Sequence, residues 1–304
     1  MTSMESVIHT LLALLLAPLM LGLINRTKAW IAGRKGPPLC QAYYDIAKLL
    51  RKGAIYSRTT TWVFRAGPVI GLAAVIVVLL LTPFGKASAL LRFSGDLILF
   101  AYLLGLMRFV TILAALDTGS SFEGMGASRE AFFSALAEPA FLLGLAALAH
   151  ESHTLSLSGM VAAVSIDMWM TLGPALALVM TAWVVVMLCE NSRIPVDDPN
   201  THLELTMIHE VMVLDHGGVD LAFILYGAAL KLWVFGALIV GVLIPWRFDV
   251  PWLDGALFLG GMAVLAVGIG LVESGMARLR LTRVPPLLMG ASVLSVLALI
   301  LMVK

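Results

Sequence analysis

SVIHTLLALLLAPLMLGLIN, residues 6–25, is followed at once by RTKAWIAGRKGPP, residues 26–38. The first stretch is an unbroken apolar run without Lys or Arg, and the second opens a basic segment that continues to residue 65. About 20 mostly apolar residues carry a helix across roughly 30 Å of hydrocarbon. A cleaved secretory leader places its basic residues before the apolar run, not after it. Residues 6–25 therefore read as a retained transmembrane helix whose N-terminus faces away from the basic side.

Seven further apolar stretches follow, at about 66–83, 95–116, 131–149, 169–190, 220–244, 252–273 and 285–303. Glu138-Pro139 interrupts the fourth and Gly173-Pro174 the fifth, features that kink a spanning helix without excluding one. Of the 304 residues, 60% are hydrophobic and 13% charged, with mean hydropathy +0.98. A soluble domain carries roughly 25% charged residues, so a soluble enzyme is excluded. A net charge of +1, with the basic residues beside apolar spans, speaks against a nucleic-acid partner. The runs are continuous rather than alternating, which rules out a β-barrel. The expected fold is all-α: a polytopic membrane protein with about eight transmembrane helices, one membrane domain over 1–304, and a polar cytoplasmic cap. No internal repeat or low-complexity segment is visible.

Loop charges orient the chain. Residues 26–65 hold nine Lys/Arg, and Arg129, Arg193, Arg278, Arg280 and Arg283 bring that side to fourteen. Lys86, Arg92, Arg247 and Lys304 give the other side four. The first loop is thus expected in the cytoplasm and both termini outside. Segments 26–65, 117–130, 190–219 and 274–284 form the expected cytoplasmic cap, a surface suited to a soluble partner.

Ionisable groups inside a bilayer cost several kcal/mol unless paired or hydrated, which makes them functional candidates. Here they are Arg108, Asp117, Glu138, Glu190, Lys231 and Glu273. Glu138 lies about two turns inside its helix, where it either passes protons or forms a structural ion pair with Arg108 or Lys231. The densest constellation runs from Glu190 through Arg193, Pro195, Asp197, Asp198, Pro199, His202, Glu204, His209 and Glu210 to Asp215 and His216, with six carboxylates and three histidines. Asp198-Pro199 predicts a helix start, with His202, Thr206 and His209 on one face. Gly217-Gly218 predicts its end near 214. This segment reads either as a proton-conducting cluster or as a solvated loop.

Several tempting motifs fail. His209-Glu210 with His216 lacks the spacing that sets two zinc-binding histidines one turn apart. His150-Glu151-Ser152-His153 reads as an exposed loop at the opposite face. Residues 119–126 read as a flexible glycine-rich loop without the lysine or context of a phosphate loop. Gly22, Gly71, Gly105, Gly236 and Gly241 read as helix-packing glycines. Cys40 and Cys189 are isolated, and the chain offers no thiolate metal site.

Four pieces of the sequence carry a resemblance: Arg34-Lys35-Gly36-Pro37-Pro38 through Tyr44-Asp45 and Lys48; Leu116-Asp117-Thr118-Gly119 through Ser128-Arg129-Glu130 and on to Glu138-Pro139; Glu190, Arg193, Pro195, Asp197 and Glu204-Leu205; and Glu273-Ser274-Gly275 through Arg278 and Arg280. Together they resemble the membrane-anchor subunit family shared by respiratory complex I (subunit 1, or H) and group 4 membrane-bound [NiFe] hydrogenases, including formate hydrogenlyase subunit 4. The second and fourth pieces look like the hydrogenase branch. The likeness covers nearly the whole chain, and eight spans is that family's number.

The resemblance implies a non-catalytic subunit of the bacterial or archaeal cytoplasmic membrane. It would dock soluble hydrogenase-like large and small subunits, which carry iron–sulfur clusters and, in that branch, a [NiFe] centre, to antiporter-like membrane subunits. No cofactor or metal is expected in this chain. Arg34, Lys35, Tyr44, Asp45, Lys48 and Arg51 would grip the redox arm. Arg108, Asp117, Glu138, Glu190, Arg193, Asp197, Glu204, Glu210, Asp215, Lys231 and Glu273 would line the proton path. Where complex I has an acidic run after its Arg-x-Pro-x-Asp, this chain has Asn200 and His202, and Gly217 is the first glycine after Glu204-Leu205. These departures count against a lipid-quinone pocket. The alternatives are the quinone-binding subunit of complex I, a nickel-free relative, and, outside the family, a stand-alone secondary transporter.

Overall fold

Each of the eight apolar stretches folds as a helix in the computed structural model, which describes residues 2–85, 87–197, 208–246, 248 and 250–303. Helix α1 (Thr2–Ile31) outruns its apolar core and carries Lys28 in its last turn. A short amphipathic helix α2 (Gln41–Leu50) follows within the basic loop. Next come α3 (Trp62–Leu81), α4 (Asp96–Asp117) and α5 (Ser121–Ser152). Helix α6 (Leu157–Ala163) is a short piece at the end opposite the basic loop, before α7 (Ile166–Glu190). A four-residue turn, α8 (His209–Met212), precedes α9 (Gly218–Leu243), α10 (Pro251–Gly275) and α11 (Val284–Val303).

Helix α9 is the axis of the bundle. Every residue from Ala229 to Val242 is buried, as expected for a span with apolar neighbours on all sides. Phe235 meets Phe141 of α5 at 5.3 Å between ring centroids, and Phe141 meets Trp183 of α7 at 5.5 Å. Offset aromatic contacts at such spacing add to burial and lock α5, α7 and α9 together. Helix α11 packs on α5 and α7, α10 on α1, and α3 on α4 and α9.

Proline marks two irregular places. Leu172 leaves helical geometry just before Gly173-Pro174, where the ring removes a backbone donor. In α1, Pro18 likewise leaves the Leu14 carbonyl without its helical N–H, and the Tyr226 hydroxyl of α9 donates to that carbonyl at 2.8 Å. The Tyr43 hydroxyl of α2 donates to the adjacent Leu15 carbonyl. Helix α5, by contrast, runs unbroken through Pro139.

Three expectations are corrected. Residues 121–130, read as loop and cap, form the first turns of α5, and only the turn around Gly119 remains irregular. The reason is packing: Gly126 sits so close to α8 that a Cβ would lie 2.8 Å from the Ile208 carbonyl. Gly217-Gly218 opens α9 rather than closing a preceding helix. Gly218 has φ +56°, and its missing Cβ lets the backbone of Lys52 and Gly53 approach. Gly105 faces a cleft, whereas Gly22, Gly71, Gly236 and Gly241 pack against neighbours. Residues 198–207 of the helix expected from Asp198, including His202, Glu204 and Thr206, lie outside the described residues; of the remainder, His209–Met212 form the short α8 and Val213 leaves helical geometry.

Candidate functional site: an ionic core at the basic end

Helix α7 ends at Glu190, and the chain turns through Ser192, whose φ is +51°, with the Arg193 N–H closing on the Leu188 carbonyl at 2.8 Å. That turn directs Glu190, Arg193 and Asp197 inward, and all three are buried. Each meets a group of opposite charge from another element. Arg108 of α4 forms ion pairs with Glu190 at 3.0 Å and with Glu138 of α5 at 2.9 Å. Lys231 of α9 stands 3.6 Å from the second Glu190 oxygen. Glu273 of α10, its side chain fully buried, takes Lys28 at 2.8 Å and Arg193 at 3.3 Å. Asp197 pairs with Arg278 at 2.7 Å and accepts the Ile208 and His209 N–H groups at 3.2 Å each. The Leu279 N–H also reaches the Pro195 carbonyl at 2.9 Å, so the segment after α10 is stitched to the turn after α7.

Buried charges endure only when paired and hydrogen-bonded. Here the pairing ties α1, α4, α5, α7, α9 and α10 into one ionic core. Of the two partners open to Glu138, the structure selects Arg108, while Lys231 serves Glu190.

Two cavities meet at this core. A cleft of about 490 Å³ between α4 and α5 is walled by apolar side chains including Tyr102 and Phe141 and ends on Arg108, Glu138 and Glu190. The Glu138 side chain remains 51% exposed there. A second cavity of about 280 Å³ has Glu190, Arg193, His209, Glu210 and Lys231 at one side and Leu21, Leu72 and Leu225 at the other. Glu190 lines both. Half-buried His209, beside Lys231 and Glu190, is pushed down to about 4, by burial first and the Lys231 ammonium second.

Glu130 was missed by sequence reasoning. With Cys189, Glu190 and Asp197 it lines a small void, two turns along α5 from Glu138. The signal was the eight-residue spacing, obscured because residue 130 was assigned to a loop. Lys28 and Arg278 were missed as counter-ions for the same kind of reason, since long-range pairing leaves no local pattern.

Other candidates lie apart from the core. Both Asp117 oxygens serve the start of α3, accepting the Thr61 N–H at 2.7 Å, the Thr61 hydroxyl at 2.8 Å and the Phe64 N–H at 3.2 Å. Asp215 is exposed, and its N–H donates to buried Glu123 at 3.2 Å. Glu204 lies outside the described residues. Arg34, Lys35, Tyr44, Asp45, Lys48 and Arg51 are all exposed, beside the exposed apolar side chains of Trp30, Leu39, Leu50 and Ile55. Among the described residues no three His, Cys, Asp or Glu side chains gather as metal ligands.

Eight helices long and apolar enough to span a membrane, packed around a buried ionic core with a basic amphipathic loop at the same end, define a multi-pass membrane protein. Residues 4–304 match the NADH dehydrogenase family, and the chain belongs to that family, as a membrane subunit of the complex I-like, group 4 hydrogenase type. It is 31% identical to formate hydrogenlyase subunit 4 of Escherichia coli (strain K12) over 292 residues, 94% of each chain. It is 30% identical to hydrogenase-4 component C of the same organism over 237 residues, 78% of this chain and 74% of that one. A chain of the membrane-bound sulfane sulfur reductase (MBS), an archaeal respiratory membrane complex, shares the fold, with TM-score 0.84, 21% identity and 99% of both chains covered.

Proposed function

We propose that this chain anchors the redox arm of a formate hydrogenlyase-like, ion-translocating oxidoreductase complex and couples that arm to antiporter-like membrane subunits. Glu190 carries the reading: one carboxylate, held by Arg108 and Lys231, lines both the cavity at the basic end and the lateral cleft where Glu138 is half exposed. Arg108, bonded to both carboxylates, is placed to follow whichever is ionised. A proton arriving at Glu190 weakens its hold on Arg108 and strengthens that of Glu138. Charge change at the docked arm would enter through Glu210, His209 and Arg193, which line the cavity at the basic end. Glu273 and Asp197 hold the geometry.

The basic end is read as cytoplasmic, with exposed Arg34, Lys35, Lys48 and Arg51 receiving the arm and both termini on the far side of a bacterial or archaeal cytoplasmic membrane. Iron–sulfur clusters and a [NiFe] centre are assigned to the soluble partners, because Cys40 and Cys189 are isolated here. The 31% and 30% identities to formate hydrogenlyase subunit 4 and hydrogenase-4 component C favour this reading over a quinone-linked one.

Purification in gentle detergent, followed by iron and nickel analysis, tests the proposal. Iron with nickel is the expected result. Iron without nickel would move the chain to a nickel-free or quinone-linked complex, and recovery of the chain alone, active as a transporter, would overturn the assignment.

A further inference from the structure

A polar cleft of about 430 Å³ opens at the end of the bundle opposite the basic loop, lined by Glu5, Ser88, Arg92, Ser156 and Ser158. Its walls are the start of α1, the hairpin between α3 and α4, and the start of α6. Glu5 and Arg92 share this cleft, and among the described residues no ion pair joins them; the ionisable group nearest in influence to Glu5 is His9, one turn along α1. Opposite charges that face one space without meeting suit a ligand carrying both signs.

The local hydrogen bonds leave the right groups free. The Ser156 hydroxyl is spent on Asp96 at 2.8 Å, part of a buried knot in which Asp96 also accepts the Leu157 N–H at 2.7 Å. Ser158 accepts the Ala89 N–H at 2.9 Å, which leaves its O–H to donate. Ser6 donates to the Ser88 carbonyl at 2.7 Å, fixing the hairpin against α1. The floor is thereby rigid, while Arg92 and the Ser158 hydroxyl remain as anion donors and Glu5 as a cation acceptor.

Position supplies the rest. Glu5 precedes the apolar run of α1, and Arg92 lies four residues before α4, so the cleft sits where spans meet the membrane surface. Exposed Met4 and Ile8 flank Glu5, and exposed Leu90, Leu91 and Phe93 flank Arg92. Charged groups ringed by apolar side chains at that level match an amphiphile. We infer that this cleft binds the headgroup of a zwitterionic aminophospholipid, with the phosphate on Arg92 and Ser158, the primary ammonium on Glu5, and the acyl chains on the flanking apolar residues. The site is independent of the ionic core and of the function proposed above.

The full chain, purified within its membrane complex and placed in nanodiscs containing equal phosphatidylethanolamine, phosphatidylcholine and phosphatidylglycerol, is the test. Lipid retained after stringent detergent washing is counted by mass spectrometry. Phosphatidylethanolamine should be retained about 10-fold over phosphatidylcholine, whose quaternary ammonium cannot donate to Glu5; that ratio corresponds to about 1.4 kcal/mol. Glu5→Gln should erase the preference, Arg92→Gln should lower retention of all three lipids, and Arg92→Lys should restore much of it. Equal retention of the three headgroups, or a preference surviving both Glu5→Gln and Arg92→Gln, would overturn the site. A photo-crosslinker at Ser88 that captured a partner polypeptide instead of lipid would overturn it too.

Discussion

Glu273→Gln and Glu138→Gln remove one carboxylate each from the same ionic core, and they should behave very differently. The Glu273 side chain is fully buried between Lys28 and Arg193, whose side chains are 23% and 8% exposed. Lys28, near the end of α1, can extend its ammonium toward water. Arg193 cannot, so glutamine strands a buried guanidinium, a loss of about 3–5 kcal/mol for breaking a buried pair from one side. Glu138 is half exposed, and Arg108 keeps Glu190 at 3.0 Å when Glu138 is neutral. Its replacement should cost about 1 kcal/mol or less. Unfolding of the purified chain in mixed micelles measures both. The double variant Glu273→Gln with Arg193→Gln removes both buried charges and should regain most of the loss. A Glu273→Gln loss below about 1 kcal/mol, or a double variant no better than the single, would refute the buried clamp.

Tyr226→Phe should cost about 1–3 kcal/mol by orphaning the Leu14 carbonyl at the Pro18 kink. In a Pro18→Ala background, where the helical N–H returns, the same substitution should cost far less in the same unfolding assay. His216, buried and stacked on Phe64 at 3.9 Å, is held by burial at about 4, below its ordinary 6.5. Its neutral form therefore stabilises fully above pH 6.5, and that contribution, about 3 kcal/mol, is lost as pH falls through 6.5 toward 4. Hydrogen-exchange protection over residues 208–217, taken relative to the intrinsic exchange rate at each pH, should fall across that window, and His216→Phe should flatten the response. Arg34→Glu combined with Lys35→Glu should release the soluble arm on a native gel without altering the membrane-bound part.

The spans were legible because hydrocarbon demands long apolar runs whatever the rest of the fold does. The start of α5 was not, because Ser121, Gly124, Gly126 and Ser128 read locally as a loop. Its helical state rests on contact with α8, some eighty residues away in sequence. Helix α2 carried a signal in Ala42, Tyr43, Ile46 and Leu49 at helical spacing, short enough to be lost inside a basic loop. Within the site, the charges themselves stood out against the apolar background, as Arg108, Glu138, Glu190 and Lys231 show. Their pairing did not, since Glu138 could meet either Arg108 or Lys231 until the packing of α4 against α5 decided it. Asp117 looked like a member of the set by composition alone, and only its bonds to Thr61 and Phe64 reveal a cap at the start of α3.

Glu138 is proposed to belong to the ion path and to contribute little to the fold. Ion uptake per electron in inverted membrane vesicles, compared between the unaltered complex and Glu138→Gln, tests it most directly. The Glu138→Gln complex should assemble and still react with an artificial electron acceptor while ion movement falls to background. Full coupled ion movement in the Glu138→Gln complex would contradict it.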